Sequence, residues 1–338
     1  MKLTNTRVLI TGANGFIGGR LAERLTHEEN TTVRGLVRNG TSFDFARDKL
    51  LTHHDFEIAT GDVCDEAVVH NAVAGCAIVV HCAAMQGGRA KIDDYRRVNV
   101  GGTLNLLRAA RAANVQRFVH ISTINVHGFP PPRDANADSP LDFGDGFYSV
   151  TKAEGERAVS DLASNYHFPI TIVRPGCTYG PRSVAWTLTP LARVKRGAPV
   201  LIGDGSGICN AVYIDNLIDL ILLALKNDAA IGQSFIGTEG RGVTWREFYG
   251  AYARMAGVSK INSMPRWFAL LAATGFGALA RWEGYPPRVD RASVEFYSHR
   301  VVYDIEKSKR LLGYAPKISF EEGMRRTEEW LRNEQMLK

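Results

Sequence analysis

The sequence predicts an α/β protein: a doubly wound parallel sheet followed by a smaller C-terminal lobe. Three observations predict it. Short β-branched runs alternate with helical patterns through the first half, which is the signature of parallel strands joined by crossover helices. A glycine-rich turn, TGANGFIG, follows the first run and opens a helical stretch, as phosphate-binding turns do. With 338 residues and 45% hydrophobic content, the chain is long enough to bury a core of this size.

The strands are expected at 7–11 (RVLIT), 31–37 (TTVRGLV), 56–59 (FEIA), 77–83 (AIVVHCA), 117–122 (RFVHIS) and 170–175 (ITIVRP). Helical patterns near 16–28, 65–74, 92–113 and 148–164 lie between them. Sheets of this kind bind ligands beyond the carboxyl ends of their strands, so the residues just after each strand are the ones to inspect. After Pro175 the pattern changes, and turn-rich segments such as GDGSG separate helical stretches near 184–197, 214–227, 244–257, 266–282 and 319–335. Residues 1–175 are therefore assigned to a dinucleotide-binding domain, with about 208–240 returning to it, and 176–338 mainly to a substrate-binding lobe. The Pro-, Asp- and Gly-rich stretch 129–146 should be irregular.

Composition narrows the function classes. The formal charge of +6 comes from scattered residues, and no run exceeds two consecutive cations. This speaks against a nucleic-acid partner and suits an anionic cofactor or substrate. Five cysteines form no CxxC pair, which points to reduced thiols in a cytoplasmic setting and to no metal site. The N-terminus shows no export signal. The longest uncharged apolar stretch, WFALLAATGFGALA at 267–280, is shorter than the ~20 residues that cross a bilayer. It reads as a buried helix; the flanking Trp267 and Trp282 leave contact with a membrane surface as the lesser reading.

In the turn itself, Gly12, Gly15 and Gly18 stand where the backbone must bend and a pyrophosphate must approach without a Cβ in its way. Strand, turn and helix together predict a Rossmann dinucleotide site. An acid about 20 residues further on would grip the ribose of NAD, whereas an arginine suits the additional phosphate of NADP. The second strand ends in Val37 and Arg38 with no carboxylate, so NADP is preferred over NAD. The small residues Ala83 and Ala84 after the fourth strand would let a flat cofactor pass closely.

FYSVTK places Tyr148 and Lys152 four residues apart, on one face of a helix. A neighbouring ammonium favours a phenolate and would lower the tyrosine pKa from its usual value near 10. Such a tyrosine exchanges a proton with a hydroxyl while a nicotinamide exchanges the hydride. Ser122 and Thr123 follow a sheet strand, where a hydroxyl can orient the reacting oxygen; a capping role is the alternative for one of them.

These motifs resemble the extended short-chain dehydrogenases/reductases, the NAD-dependent epimerase/dehydratase family. The resemblance covers nearly the whole chain: TGANGFIG (11–18), GDV (61–63), HCAA (81–84), NVGGT (99–103), ISTINVHG (121–128), YSVTK (148–152), RPGCTYGPR (174–182), VYIDN (212–216) and SKRLLGYAP (308–316). It implies Tyr148 as acid/base, Lys152 as the residue that tunes it and holds the nicotinamide ribose, Thr123 as the orienting hydroxyl, and Asn99 in the proton relay or as the support of a helix bend. Cofactor contacts are implied at Gly12, Asn14, Gly15, Phe16, Ile17, Gly18, Arg38, Asp62, Val63, Cys82, Ala83, Ala84, Pro175, Gly176 and Thr178, and substrate contacts at Thr123, Asn125, Tyr148 and Arg182. It also implies a homodimer and a small-molecule substrate.

Two departures bear on the reaction. Sugar dehydratases of the family carry Asp-Glu after the orienting threonine, where this chain has Ile124 and Asn125. Sugar epimerases show R-x-F-N after the sixth strand, where Arg174-Pro175-Gly176-Cys177 stands. The chain looks more like the branch of 3β-hydroxysteroid dehydrogenases and dihydroflavonol-type reductases. The expected function is NAD(P)-dependent interconversion of a secondary alcohol and a ketone, with a nucleotide-sugar epimerase as the alternative and a non-catalytic dinucleotide-binding regulator as the third reading. Arg182, Arg193 and Arg288 are the cations that could meet an anionic substrate.

Overall fold

The computed structural model describes residues 2–38, 53–88, 90–143, 146–283 and 290–337, with 277–283 described by backbone alone. The first half runs β1 (Arg7–Thr11), α1 (Phe16–Glu28), β2 (Thr32–Val37), β3 (Phe56–Thr60), α2 (Glu66–Val73), β4 (Ile78–His81), α3 (Ile92–Arg96), α4 (Thr103–Ala112), β5 (Arg117–Ile121), α5 (Phe147–Tyr166) and β6 (Ile170–Pro175). It continues with β7 (Cys177–Tyr179), α6 (Thr189–Lys195), α7 (Ile214–Lys226), α8 (Trp245–Met255), α9 (Arg266–Glu283), α10 (Arg291–Ser298), α11 (Glu306–Leu312) and α12 (Phe320–Asn333).

One seven-stranded parallel sheet organises the molecule, in the order Ser234–Gly237, β6, β5, β4, β1, β2, β3. The chain leaves β1 in one direction toward β3 and in the other from β4 onward, so the crevice between β1 and β4 is the topological switch point. Alternate side chains of a strand serve opposite faces. Val8 and Ile10 join Leu21 and Leu25 of α1 and Leu217 and Ile221 of α7 in one core. Leu9 and Val79 join Val69 and Val73 of α2, Leu106 and Leu107 of α4 and Val159 of α5 in the other. With helices on both faces, β5 and β6 are buried at every position, which is why they read as continuous apolar runs.

The six expected strands form where the sequence places them, within two residues at either end. The seventh, Ser234–Gly237, is too short to stand out and owes its place to its pairing with β6. The helix expected over 92–113 is interrupted: Arg97–Gly102 is a π-helical stretch between α3 and α4, the kind of local widening that re-aims one residue. Here that residue is Asn99.

Trp245, Phe248, Tyr249 and Tyr252 of α8 pack with Tyr179 of β7, Trp186, Phe296 and Phe320. Thr244 and Glu247 close the start of α8 with a reciprocal capping box. The buried helix expected over 267–280 is corrected by α9. Ala269 and Ala273 are its buried residues, whereas Trp267, Phe268, Leu271 and Phe276 are exposed. Periodicity could not show this, because the stretch is apolar all round and only a packing partner decides which face is covered. All five cysteines are free thiols.

Candidate active site

The site grows from the turn after β1. Gly12 has φ of +67°, and a Cβ there would stand 3.0 Å from the Ala83 amide nitrogen, so only glycine lets β1 and the segment after β4 approach. The Gly12 carbonyl accepts the Gly15 amide at 2.9 Å, and a Cβ on Gly18 would lie 2.4 Å from that oxygen. Helix α1 then starts at Phe16 with no side-chain cap and no acid in its first turn, which leaves its positive dipole end to an anion. Asn14, Phe16 and Ile17 are half-buried around it. A cradle that a Cβ would fill, opening on an uncapped helix end, fits a dinucleotide pyrophosphate.

The neighbouring strand ends are tied by a chain of hydrogen bonds that the sequence reading missed. The Ala83 amide donates to Thr11 Oγ1 at 3.1 Å, Thr11 Oγ1 meets His81 Nδ1 at 2.7 Å, and His81 Nε2 meets Thr103 Oγ1 at 2.9 Å. Thr103 Oγ1 donates in turn to the Asn99 carbonyl at 2.7 Å. Since the threonine hydroxyl spends its proton on that carbonyl, His81 Nε2 must carry a hydrogen and Nδ1 must accept from Thr11. Burial, helped by the charge of Lys152, pushes the His81 pKa down to about 3 and keeps it neutral. Ala83 and Ala84 follow, half-buried. Burial raises the Cys82 thiol to about 12, so it stays protonated beside the cradle.

Just beyond the end of β3, Val63 is buried in the sheet core. Burial disfavours the charge of Asp62, but the Cys64 amide at 2.9 Å and thiol, with Arg97 and Arg38, hold its carboxyl below the usual range. Arg38 is exposed at the end of β2 and close enough to act on Asp62.

On the other side of the crevice, Thr123 is extended and caps the short 3-10 turn Ile124–His127 through Oγ1, which accepts the Asn125 amide at 3.2 Å. The Thr123 side chain also acts on the Tyr148 phenol and pulls its pKa down. The capping role therefore falls on Thr123. Ser122 Oγ is buried with no hydrogen-bond partner. Pro175, Gly176 and Thr178 continue from β6, the strand beside β5, and the Ser122 amide donates to Val173 of β6 at 2.7 Å.

Tyr148, Lys152 and Glu156 recur every four residues along α5 and share a face. Lys152 is buried, and its Nζ donates to the Ile121 carbonyl at 2.7 Å. Burial drives its pKa down to about 8, against the opposing pull of Glu156 and Cys82. Glu156 takes the guanidinium of buried Arg174 in a forked pair, and Arg174 also donates to the Ala137 carbonyl at 2.7 Å. That pair pins α5 to the end of β6. The expected lowering of the tyrosine is corrected: burial pushes Tyr148 up to about 12, and the contact with Thr123 offsets it only in part. The ammonium lies on a backbone carbonyl instead of facing the phenol. Without a cation against it, a buried phenol holds its proton more tightly.

Asn99 accepts the Met85 amide at 2.7 Å and donates to the Met85 carbonyl at 3.1 Å and to Thr151 Oγ1 at 3.0 Å. It braces the segment after β4 against α5 at the residue beside Lys152. Asn125 is half-buried next to Thr123.

A cleft of 610 Å³ touches the first turn of α5 at Ser149 and is lined also by Phe129, Asp142, Arg266, Arg291 and Glu295 among others. Ser149 adjoins Tyr148, so the cleft lies next to the phenol's helix turn. Its far wall comes from α9 and α10, where no motif had marked a residue. Arg182 pairs instead with Glu23 of α1 at 2.9 Å, and Arg193 sits with Tyr249 and Tyr297. Arg288 lies outside the described residues.

Residues 8–236 match the family described as the NAD dependent epimerase/dehydratase family. A 2-alkyl-3-oxoalkanoate reductase of Stenotrophomonas maltophilia is 30% identical, over 95% of this chain and 98% of that protein. A UDP-glucose 4-epimerase of Vibrio cholerae is 28% identical, over 95% and 94% respectively. The crystal structure of gox2253 superposes with a TM-score of 0.82 at 26% identity, covering 99% of this chain and 100% of that one.

Proposed function

The chain belongs to the NAD dependent epimerase/dehydratase family, and from that premise we propose that it is an NAD(P)-dependent oxidoreductase interconverting a secondary alcohol and a ketone on a small hydrophobic substrate. The observation that carries this reading is that Thr123, at the carboxyl end of β5, is the side chain that acts on the Tyr148 phenol. Two hydroxyls at the mouth of the cradle can hold one substrate oxygen between them, Thr123 orienting it and Tyr148 exchanging its proton. A bound nicotinamide supplies the hydride transfer. Lys152 would hold the nicotinamide ribose, and Asn99 would keep the floor rigid. Gly12, Gly15 and Gly18 would hold the pyrophosphate, and Asp62 and Val63 the adenine.

Two features favour net oxidoreduction over other chemistry of the fold. Ile124 and Asn125 follow Thr123, so no acid pair stands there to drive elimination of water. The 2-alkyl-3-oxoalkanoate reductase is a relative that works on an oxo compound with an alkyl chain. Arg38 supports NADP over NAD, since an exposed arginine at the end of β2 would suit the additional ribose phosphate. The family resemblance supports a homodimer, and the five free thiols suit a cytoplasmic setting.

The test is cofactor stoichiometry. Steady, substrate-dependent reduction of NADP⁺ by a panel of hydroxysteroids, hydroxy fatty acids and flavanols supports the proposal. Conversion of a nucleotide sugar into its epimer with no net change in cofactor would replace it with the epimerase reading, which the Vibrio relative represents.

A further inference from the structure

Helix α9 is packed with its larger side chains outward. It buries Ala269 and Ala273 against Val294 of α10, while Trp267 is 69%, Leu271 63% and Phe268 46% exposed. Helices of water-soluble domains usually bury the large residues and expose the small or charged ones. At 100° per residue, Trp267, Phe268, Leu271, Thr274 and Gly275 share one face, and the Trp267 and Phe268 rings brace each other edge to face at 5.7 Å. Isolated exposed apolar residues are ordinary, but an adjoining group on one helix face marks a surface that something covers.

The charge around that face identifies what covers it. From Lys260 to Arg300 the sequence holds six Lys or Arg and three acids, half of the chain's net +6. Two of the acids are engaged: Asp290 accepts the Ser293 amide at 2.6 Å and Glu295 pairs with Arg266 at 2.5 Å. Lys260 and Arg291 are exposed, and among the described residues neither pairs with a carboxylate. Trp, Phe and Leu on one face of a helix, in a stretch of chain with a cationic excess, are the make-up of a helix that lies in a lipid interface. No helix here is long and apolar enough to cross a membrane.

We propose that the Trp267–Leu271 face of α9 docks reversibly on an anionic lipid surface, flat in the interface. Arg266 at the start of α9 and Arg291 of α10 also line the cleft beside Ser149, so the helix that would dock is one of the cleft's walls. The inference rests on exposure and charge, and it stands whichever reaction the site performs.

Flotation of the full chain with phosphatidylcholine vesicles, with and without phosphatidylglycerol, tests it. The chain is expected to float with the phosphatidylglycerol vesicles and to be released by salt. Trp267→Ser/Leu271→Ser should lower partitioning about tenfold or more, from the lost apolar insertion, with an unchanged melting temperature because both residues face solvent. Lys260→Glu should weaken binding to the anionic vesicles alone. The proposal is overturned if wild type stays in solution with both vesicle types, or if the double variant floats as well as wild type. It is equally overturned if vesicles leave the chain in solution while the double substitution converts a self-associating chain to monomer, since a second copy then covers the face.

Discussion

The Lys152 ammonium donates to the Ile121 carbonyl at 2.7 Å, four residues along α5 from the Tyr148 phenol, on which Thr123 acts. The lysine's charge is thus spent at the sheet edge, and the tyrosine stays a strong holder of its proton. A phenol at about 12 with burial as the cause acts more readily as acid than as base until a cation faces it.

Replacing Tyr148 by Phe should therefore lower turnover by about 10²-fold or more, the usual scale for losing a general acid/base, while cofactor affinity stays within about twofold. Steady-state kinetics beside calorimetric titration of cofactor separates the two. Unaltered turnover would refute the assigned role.

Lys152 gives a pH dependence. With its pKa near 8, the ammonium is present below that value and lost as pH rises through it. Cofactor affinity that uses the ammonium should fall from about pH 7 to about pH 9, and Lys152→Ala should weaken binding roughly 10- to 100-fold at neutral pH and flatten the profile. In stability the sign is opposite. The folded pKa lies below the unfolded value of 10.5, so burying the charged form costs stability below about pH 8, and the cost fades as pH climbs from about 8 toward 10.5.

Gly18→Ala would place a methyl 2.4 Å from the Gly12 carbonyl oxygen. The backbone must shift, so dinucleotide affinity should drop at least about tenfold and stability by roughly 1–3 kcal/mol. Denaturant unfolding and cofactor titration check both numbers. Binding at the wild-type level would mean that the turn is not the pyrophosphate site.

Arg38→Asp should move cofactor preference from NADP toward NAD, read as the ratio of the two kcat/KM values. Unchanged NADP preference would remove Arg38 from the phosphate contact.

Two buried histidines should behave oppositely. His81 is bonded at both nitrogens, so His81→Phe strands Thr11 and Thr103 and should cost about 1–3 kcal/mol. His120 is fully buried with both nitrogens unpartnered, so His120→Phe should leave the melting temperature level or raise it. The folded pKa of His81 is about 3 against 6.5, so its contribution is complete above about pH 6.5 and lost as pH falls toward 3, on the order of 3 kcal/mol by about pH 4. A thermal melt series from neutral to acid pH reads this slope. A loss for His120→Phe as large as that for His81→Phe would show that ordered water satisfies His120.

Much of the fold and the outline of the candidate site are legible in the sequence because their signals are local. A strand, a glycine turn and a helix follow one another between Arg7 and Glu28, and Tyr148 and Lys152 stand at helical spacing. Identity at those positions is enough, since backbone geometry and side-chain direction follow from nearest neighbours in the chain.

Other features were decided only in three dimensions. Lys152 finds its acceptor 31 residues away and Arg182 its carboxylate 159 residues away, and nothing in either neighbourhood announces the partner. The cleft's second wall, Arg266 and Arg291, comes from helices that meet the site only after the C-terminal segment folds back. Helix α9 shows why: the stretch is apolar on every side, so its own sequence leaves open which face is covered, and only the surface it meets, Val294 of α10, decides that the alanines go in and the tryptophan stays out.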